Sequence, residues 1–487
     1  HSHSLEGAIW AWEYAGYFPR LGPDGERRQG CQTFDELLGL LRRLDAELDD
    51  PNESLIVWGF DPIYFPGERL AAHHLDRVSE TRSIVVIHAS LHLITVNTAL
   101  MEREGFADGS DVEGVPVDGE GRAIGELKEP PAMSLARREM LALWGALGDP
   151  ASLRRFADMA RVVGCTTVTE LGATQLATDQ HLALWTDAAG IDGFPARLVP
   201  LLNPSRGQPG TPDEIAEHTV AIRSQSTPKA RFGVVKMVLD GSIQGFTARL
   251  NPPGYLPHPD GTERPNGIWL IEPEQFHAWF DAFHRHHVTV HTHVNGDQSV
   301  DLLLDTVEAV TSQHSWLDHR HTAQHTQLTT AAQYRRMARM GMNANIFSNH
   351  IFYWGDQHAS ITVGPDRAAR MDACATADRE GVRYSVHSDA SVTPLGSLHT
   401  MWCAVNRITA SGAVLGPDER ISVDRALRAV TIDAAHQLRM DHEIGTIEAG
   451  KLADFVALAD DPNDVDPITL KDIEVHGTVV GGEITGS

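Results

Sequence analysis

The chain has 487 residues, 42% of them apolar, enough for one large domain or two ordinary ones and too many for a disulfide-stapled mini-protein. Forty basic residues against 66 acidic ones give a formal net charge of −26, a field that repels phosphate backbones and anionic headgroups and so excludes nucleic acid and membrane surfaces as expected partners. The four cysteines, Cys31, Cys165, Cys374 and Cys403, form no CxxC pair, which argues against a disulfide framework and for a reducing, cytoplasmic setting.

The chain opens HSHSLEG, which reads as the middle of a motif and not as a basic and apolar leader, so no signal peptide is expected. Strand alternation puts His1 and His3 on one face, spaced to hold one cation, although so short a motif also arises as a tag remnant or by chance. Residues 5 to 150 alternate poorly, carry helix-like stretches at Thr33–Glu47 and Leu135–Trp144, and read as a long insertion. Within them Ser83–Met101 is interrupted by His88, Ser90, His92, Thr95 and Asn97; this excludes a membrane helix and predicts a strand running into a short helix.

From about residue 160 to 440, β-branched runs alternate with amphipathic stretches, as in βα units with both sheet faces covered. Strands are predicted at Cys165–Leu171, Ala196–Leu202, Phe232–Asp240, Val288–Val294, His319–Gln324, Met342–Phe347 and Val382–Asp389. Helices are predicted at Pro273–Arg285, Gln298–Gln313, Thr330–Met340 and Val423–Met440. An eight-stranded parallel barrel is then one strand short, and the missing one would end at HSHS. After Met440, short strands between Gly and Asp-Pro turns mark a small β element at 441–487.

Among 26 histidines there are only five lysines, Lys128, Lys229, Lys236, Lys451 and Lys471. Lys236 lies in the apolar run VVKMVLDGS, where burial favours the neutral amine. A neutral amine can act as a nucleophile, or combine with carbon dioxide to give a carbamate able to bridge two metals; the alternative is a snorkelling lysine or one paired with Asp240. His293 and His325 end two consecutive strands, with His291 and His321 deeper or in a supporting role. Asp389 closes the last strand, either as a site carboxylate or as a helix cap. The order His-x-His, Lys, His, His, Asp falls at the ends of candidate strands one, four, five, six and eight, all at the carboxyl face where barrel chemistry is built.

HSH at 1–3, VKMVLDGSIQ at 235–244, HVNGD at 293–297, HTAQHTQ at 321–327, HSDASVTP at 387–394 and IGTIEAGKLADFVAL at 444–458 together resemble the amidohydrolase superfamily. The resemblance is narrower to the family-three members, which include YtcJ-like and N-substituted formamide deformylase proteins. It implies an α/β fold: a TIM-like (β/α)8 barrel over 1–440, its first strand largely missing by truncation, with part of a small β-sandwich at 441–487. It further implies two divalent metal ions, zinc before iron, manganese or cobalt. His1 and His3 would hold the first with Asp389, His293 and His325 the second, and carboxylated Lys236 would bridge both.

The activity implied is hydrolysis of a linear C–N bond, an amide, N-acyl or N-formyl group, by a metal-bridging hydroxide, with Asp389 shuttling the proton to the departing nitrogen. The alternatives are a hydrolase of cyclic amides, carbamates or esters, and a metal-free barrel that binds a small molecule. Substrate contacts are expected from the insertion and the strand-to-helix loops: Trp10, Trp58, Tyr64, Phe352 and Trp354 as apolar walls, and His92 and Asn97 from SLHLITVN. His350 and His387 are candidate donors to the carbonyl oxygen. The partner expected is a small-molecule amide; an oligomer of identical chains is compatible with the sequence.

Overall fold

A computed structural model describes residues 1–487 except 66, 68, 174, 175, 177, 205–209, 259, 260, 486 and 487. The chain divides into two compact units, one of His1–His3 with Ala160–Ser487, the other Ser4–Met159.

The first unit is built on seven strands, here β1 to β7: Thr167–Ala173, Arg197–Leu202, Val235–Val238, Val290–Val294, Thr322–His325, Asn343–Ile346 and Arg383–Val386. They neighbour one another in that order, all parallel. Register aligns His293, Gln324, Asn345 and Ser385 across β4 to β7, so one polar row crosses the interior. The covering helices explain the alternation seen in the sequence. Pro273–Arg285 buries Phe276, Phe280 and Phe283 on one stripe, each aromatic side chain contributing roughly 1.5–3 kcal/mol by leaving water. Thr330 and Gln333 form a capping box at the start of Ala331–Met340, and Gly341, left-handed at φ 72°, ends it.

No full-length eighth strand lies among the described residues; three residues take its place at the carboxyl end. Ser2 bridges Ala390 in parallel, His3 N donates to Ala390 O (2.6 Å), Asp389 N to His1 O (3.1 Å) and Leu171 N to Ser2 O (3.2 Å). Ser2 also donates to Thr169 through N (3.2 Å) and Oγ (2.7 Å). Below this strip β1 and β7 do not pair, and a cavity of about 370 Å³ opens there, with Thr167, Ser385, Leu427 and Phe455 in its walls.

Several predicted elements are revised, and the strand expected at Phe232–Asp240 is confined to Val235–Val238. The expected helix Val423–Met440 breaks at Thr431 (φ −123°, ψ −98°) into Val423–Val430 and Ile432–Gln437. The last strand stops at Val386, short of the predicted Asp389, whose φ of 52° is left-handed and cannot continue a strand. The carboxy-terminal β element is a three-stranded antiparallel sheet, Phe455–Leu458, Val475–Val480 and Glu483–Thr485.

The Ser4–Met159 unit has its own five-stranded sheet in the order Glu13–Tyr14, Leu55–Phe60, Ile84–His88, Leu93–Val96, Glu126–Lys128. Its first three strands are parallel and the last two antiparallel. Ser83–Met101 is therefore two paired strands before the helix Thr98–Glu104, turning at Leu91 (φ 62°). Phe34–Glu47 starts at a Thr33–Glu36 capping box, and the second predicted helix runs Arg137–Ala146.

Candidate metal centre

Strand alternation brings His291 and His293 to one face of β4, and the strip at the seam brings His1 and His3 beside them. His1 Nδ1 is 2.8 Å from Gln324 Oε1, and His3 Nδ1 is 3.0 Å from Glu170 Oε1. Both partners are oxygen acceptors, so each Nδ1 donates and each neutral ring keeps its lone pair on Nε2. Those two Nε2 atoms lie 3.3 Å apart and 3.2 and 3.3 Å from Asp389 Oδ1. Lys236, 2% exposed, brings Nζ to 3.3 Å from His1 Nε2.

His325 joins this group by breaking the alternation of β5. Gln324 and His325 are neighbours and would face opposite ways, but His325 is left-handed (φ 71°), as is Thr326 (φ 50°). Its ring centroid comes to 4.4 Å from that of His293 and 4.7 Å from that of His1, and its Nδ1 to 3.9 Å from Asp389 Oδ2. Left-handed backbone at two non-glycine residues of one cluster, His325 and Asp389, is strain of the kind that collects at functional sites.

Three lone-pair-bearing atoms at van der Waals contact or closer repel unless a positive charge sits among them. A tetrahedral ion with bonds of ~2.0–2.1 Å to nitrogen spaces its ligand atoms about 3.3–3.4 Å apart, which matches His1 Nε2, His3 Nε2 and Asp389 Oδ1. The same need is visible in buried atoms without a hydrogen-bond partner: both ring nitrogens of His325, both of His387, and Asp389 Oδ1. Grouped by ligand atoms within 4.8 Å of one another, His1, His3 and Asp389 form one set and His1, His325 and His387 another. The residues therefore fit a metal ion.

Electrostatics agree. Burial would raise the Asp389 carboxyl, but His3, Lys236 and His293 outweigh it and hold the group below the usual carboxylate range. Burial would lower His3, yet Glu170 and Asp389 outweigh it and raise it above the ordinary imidazole range. Burial pushes His325 and His387 far below the ordinary imidazole range, leaving them neutral and free to ligate.

A family model described as "Amidohydrolase family" matches residues 26–485. The chain belongs to the amidohydrolase family. N-substituted formamide deformylase of Arthrobacter pascens is 32% identical to this amidohydrolase over 260 residues, covering 51% of this chain and 46% of that protein, so the match spans less than half of that relative's length. YtcJ of Bacillus subtilis (strain 168) is 24% identical over 507 aligned positions, covering 99% of this chain and 89% of its own. An uncharacterized metal-dependent hydrolase from Pyrococcus horikoshii OT3 shares the fold with a TM-score of 0.69 at 17% identity, covering 96% of this chain and 86% of its own.

In this amidohydrolase the structure brings together His1, His3, Lys236, His325 and Asp389, with His293 beside His325. His293 Nε2 is turned toward Asn295 Nδ2 (2.9 Å) and Gly241 O (3.3 Å). His387 stacks between His1 (4.8 Å) and Phe347 (4.6 Å). His350 lies one ring further out, 4.5 Å from Phe347, with Nδ1 on His358 at 2.9 Å and Trp354 at 4.5 Å.

The other residues named from the sequence make the following contacts within their own units. Within the Ser4–Met159 unit His92 Nδ1 meets Glu129 Oε2 at 2.9 Å. Asn97 caps a helix: Oδ1 accepts from Ile84 N and Leu100 N, and Nδ2 donates to Ser79 O and Arg82 O. Trp58 is core, 1% exposed, with Trp10 packed against that core, Tyr64 stacks on Tyr17 at 4.7 Å, and Phe352 packs on His399 and Trp402. Two residues the sequence reading missed, Glu170 and Gln324, orient His3 and His1. Glu170 carried a signal: a carboxylate inside the strand run TVTELGA must be paired if buried.

Proposed function

We propose that this chain is a metal-dependent hydrolase of linear C–N bonds in small amides, of the N-acyl or N-formyl type. The observation that carries the reading is the convergence of His1 Nε2, His3 Nε2 and Asp389 Oδ1 at 3.2–3.3 Å, with Lys236 against His1. His1, His3 and Asp389 would hold one divalent ion, zinc the first candidate. His293, His325 and a carbamate formed by carbon dioxide on Lys236 would hold a second. When bound, such ions supply Lewis acidity that lowers the pKa of water and polarises a carbonyl.

The chain's own groups do the rest. Asp389, kept ionised by its neighbours, takes the proton of the attacking water and passes it to the departing nitrogen, which must leave as an amine and not as its anion. His387, neutral and with both ring nitrogens unpartnered, would donate to a carbonyl oxygen as charge builds on it. The name of the Arthrobacter pascens relative supports an N-formyl or N-acyl amine as the substrate class. The net charge of −26 supports a small-molecule partner over nucleic acid or an anionic membrane. No helix among the described residues is long and apolar enough to cross a membrane, and a cytoplasmic setting belongs to the proposal.

The test is metal analysis of the purified chain followed by a screen of N-formyl and N-acyl amines. About two equivalents of divalent metal and amine release support the reading. A chain that takes up no metal and releases no amine refutes it.

A further inference from the structure

Beneath the candidate centre the barrel interior holds one continuous polar network whose directions can be worked out from its ends. The carbonyl of Gln437 can only accept, and His291 Nε2 lies 3.0 Å from it, so that nitrogen carries the proton of the neutral ring. His291 Nδ1 must then accept, and the group 2.7 Å from it is the Gln324 amide nitrogen. This settles which way the Gln324 amide faces: Oε1 looks at His1 Nδ1 (2.8 Å) and at Asn345 Nδ2 (2.7 Å). Both must donate to it.

Ser385 Oγ faces two acceptors, Asn345 Oδ1 at 2.9 Å and Gln437 Oε1 at 2.8 Å, which share its one proton, and Gln437 Nε2 donates to Ala344 O at 2.7 Å. Gln324, His291 and Ser385 are 0–2% exposed, and a reversed link would set like groups against each other.

We propose that Gln324 and His291 are positioning residues, a one-way relay anchored on the Gln437 carbonyl that keeps the His1 proton on Nδ1 and so keeps Nε2 open for a metal ion. The relay spans β5, β4 and the helix Ile432–Gln437 and tells His1 which nitrogen to present, as a carboxylate or carbonyl does for other metal-binding imidazoles. The inference rests on the metal-centre reading above for its purpose, while its hydrogen-bond directions stand without any ion.

The test uses the full chain with histidine-selective ¹⁵N labelling, the His1 signals being assigned by their loss in His1→Gln. In the metal-free protein His1 is expected to show the Nδ1–H tautomer alone. Gln324→Met, close in shape and without a donor or acceptor at the site, should mix the two tautomers and weaken Zn²⁺ binding, measured by competition with a chromophoric chelator, by about 10–100-fold. Gln324→Glu, which restores the acceptor for His1, should recover binding to within a few-fold of the original. A Gln324→Met chain that melts as the original does, keeps a single Nδ1–H tautomer and binds Zn²⁺ as tightly overturns the relay, as does an Nε2–H tautomer in the unaltered protein. If the unaltered protein binds no Zn²⁺ but shows the Nδ1–H tautomer and loses it in Gln324→Met, the relay stands and the metal reading falls.

Discussion

His3 Nδ1 donates to Glu170 Oε1 at 3.0 Å, and the same oxygen accepts from Gly172 N at 2.6 Å. The carboxylate is thus pinned by backbone before it orients the ring, and the pair has no slack: a Cβ on Gly172 would sit 3.1 Å from Glu170 Oε1 and 3.3 Å from His3 Nδ1. Glu170→Gln leaves the acceptor but removes its charge, and should weaken Zn²⁺ binding by about 10-fold. Glu170→Leu removes both and should cost about 100-fold. Chelator competition on both variants checks the order; equal affinities would show that Glu170 does not support His3.

Asp389→Asn should separate binding from turnover. The amide keeps an oxygen that can ligate but cannot take a proton at neutral pH, so metal content falls little while kcat drops by about 100-fold or more. Metal analysis beside steady-state kinetics decides; full turnover in Asp389→Asn would remove the proton-transfer role.

Gly296 turns the chain after β4, and a Cβ there would lie 1.8 Å from Arg249 O. Because the obstacle is backbone and not a flexible side chain, Gly296→Ala should destabilise the fold by about 1–3 kcal/mol and disturb His293, three residues upstream. Urea denaturation of the two proteins measures it; an unchanged midpoint contradicts the packing.

Acid should weaken the Ser4–Met159 unit through His88, whose Nε2 meets Thr95 Oγ1 at 2.9 Å and whose pKa burial lowers to about 4. The unfolded chain takes up this proton near pH 6.5 and the folded one only near 4. Stability is therefore unaffected above pH 7 and falls as pH drops between these values, by at most about 3 kcal/mol for this group. Replacing it by the uncharged His88→Gln should flatten the urea midpoint between pH 6.5 and 4 relative to the original. Parallel profiles would show that His88 titrates normally.

Much of this molecule was legible because its chemistry sits where strand periodicity ends. Lys236 stood out as a lysine in an apolar run, and HVNGD and HSDASVTP put His293 and Asp389 at the ends of predicted strands. His325 was named from its position, but periodicity alone would have turned it away from Gln324; only the left-handed backbone at φ 71° brings both inward. Asn97 and Trp58 show that one local pattern admits two roles. A polar residue between a strand and a helix serves a cap as readily as a ligand, and a tryptophan in the run LIVWGF serves a core as readily as a pocket. Gln324 and Glu170 were overlooked because their importance lies in what they touch across the barrel, 323 and 167 positions away in the chain, and local patterns do not carry such pairings.

The strip His1–His3 is registered to Ala390 and Asp389 by the same backbone bonds that carry their side chains to one point. Slipping that seam by a single residue would send both imidazoles to the far side of the sheet. Joining the two sheet edges at this rim and gathering the candidate ligands are accordingly one event, so a change that loosens the seam would also scatter His1, His3 and Asp389.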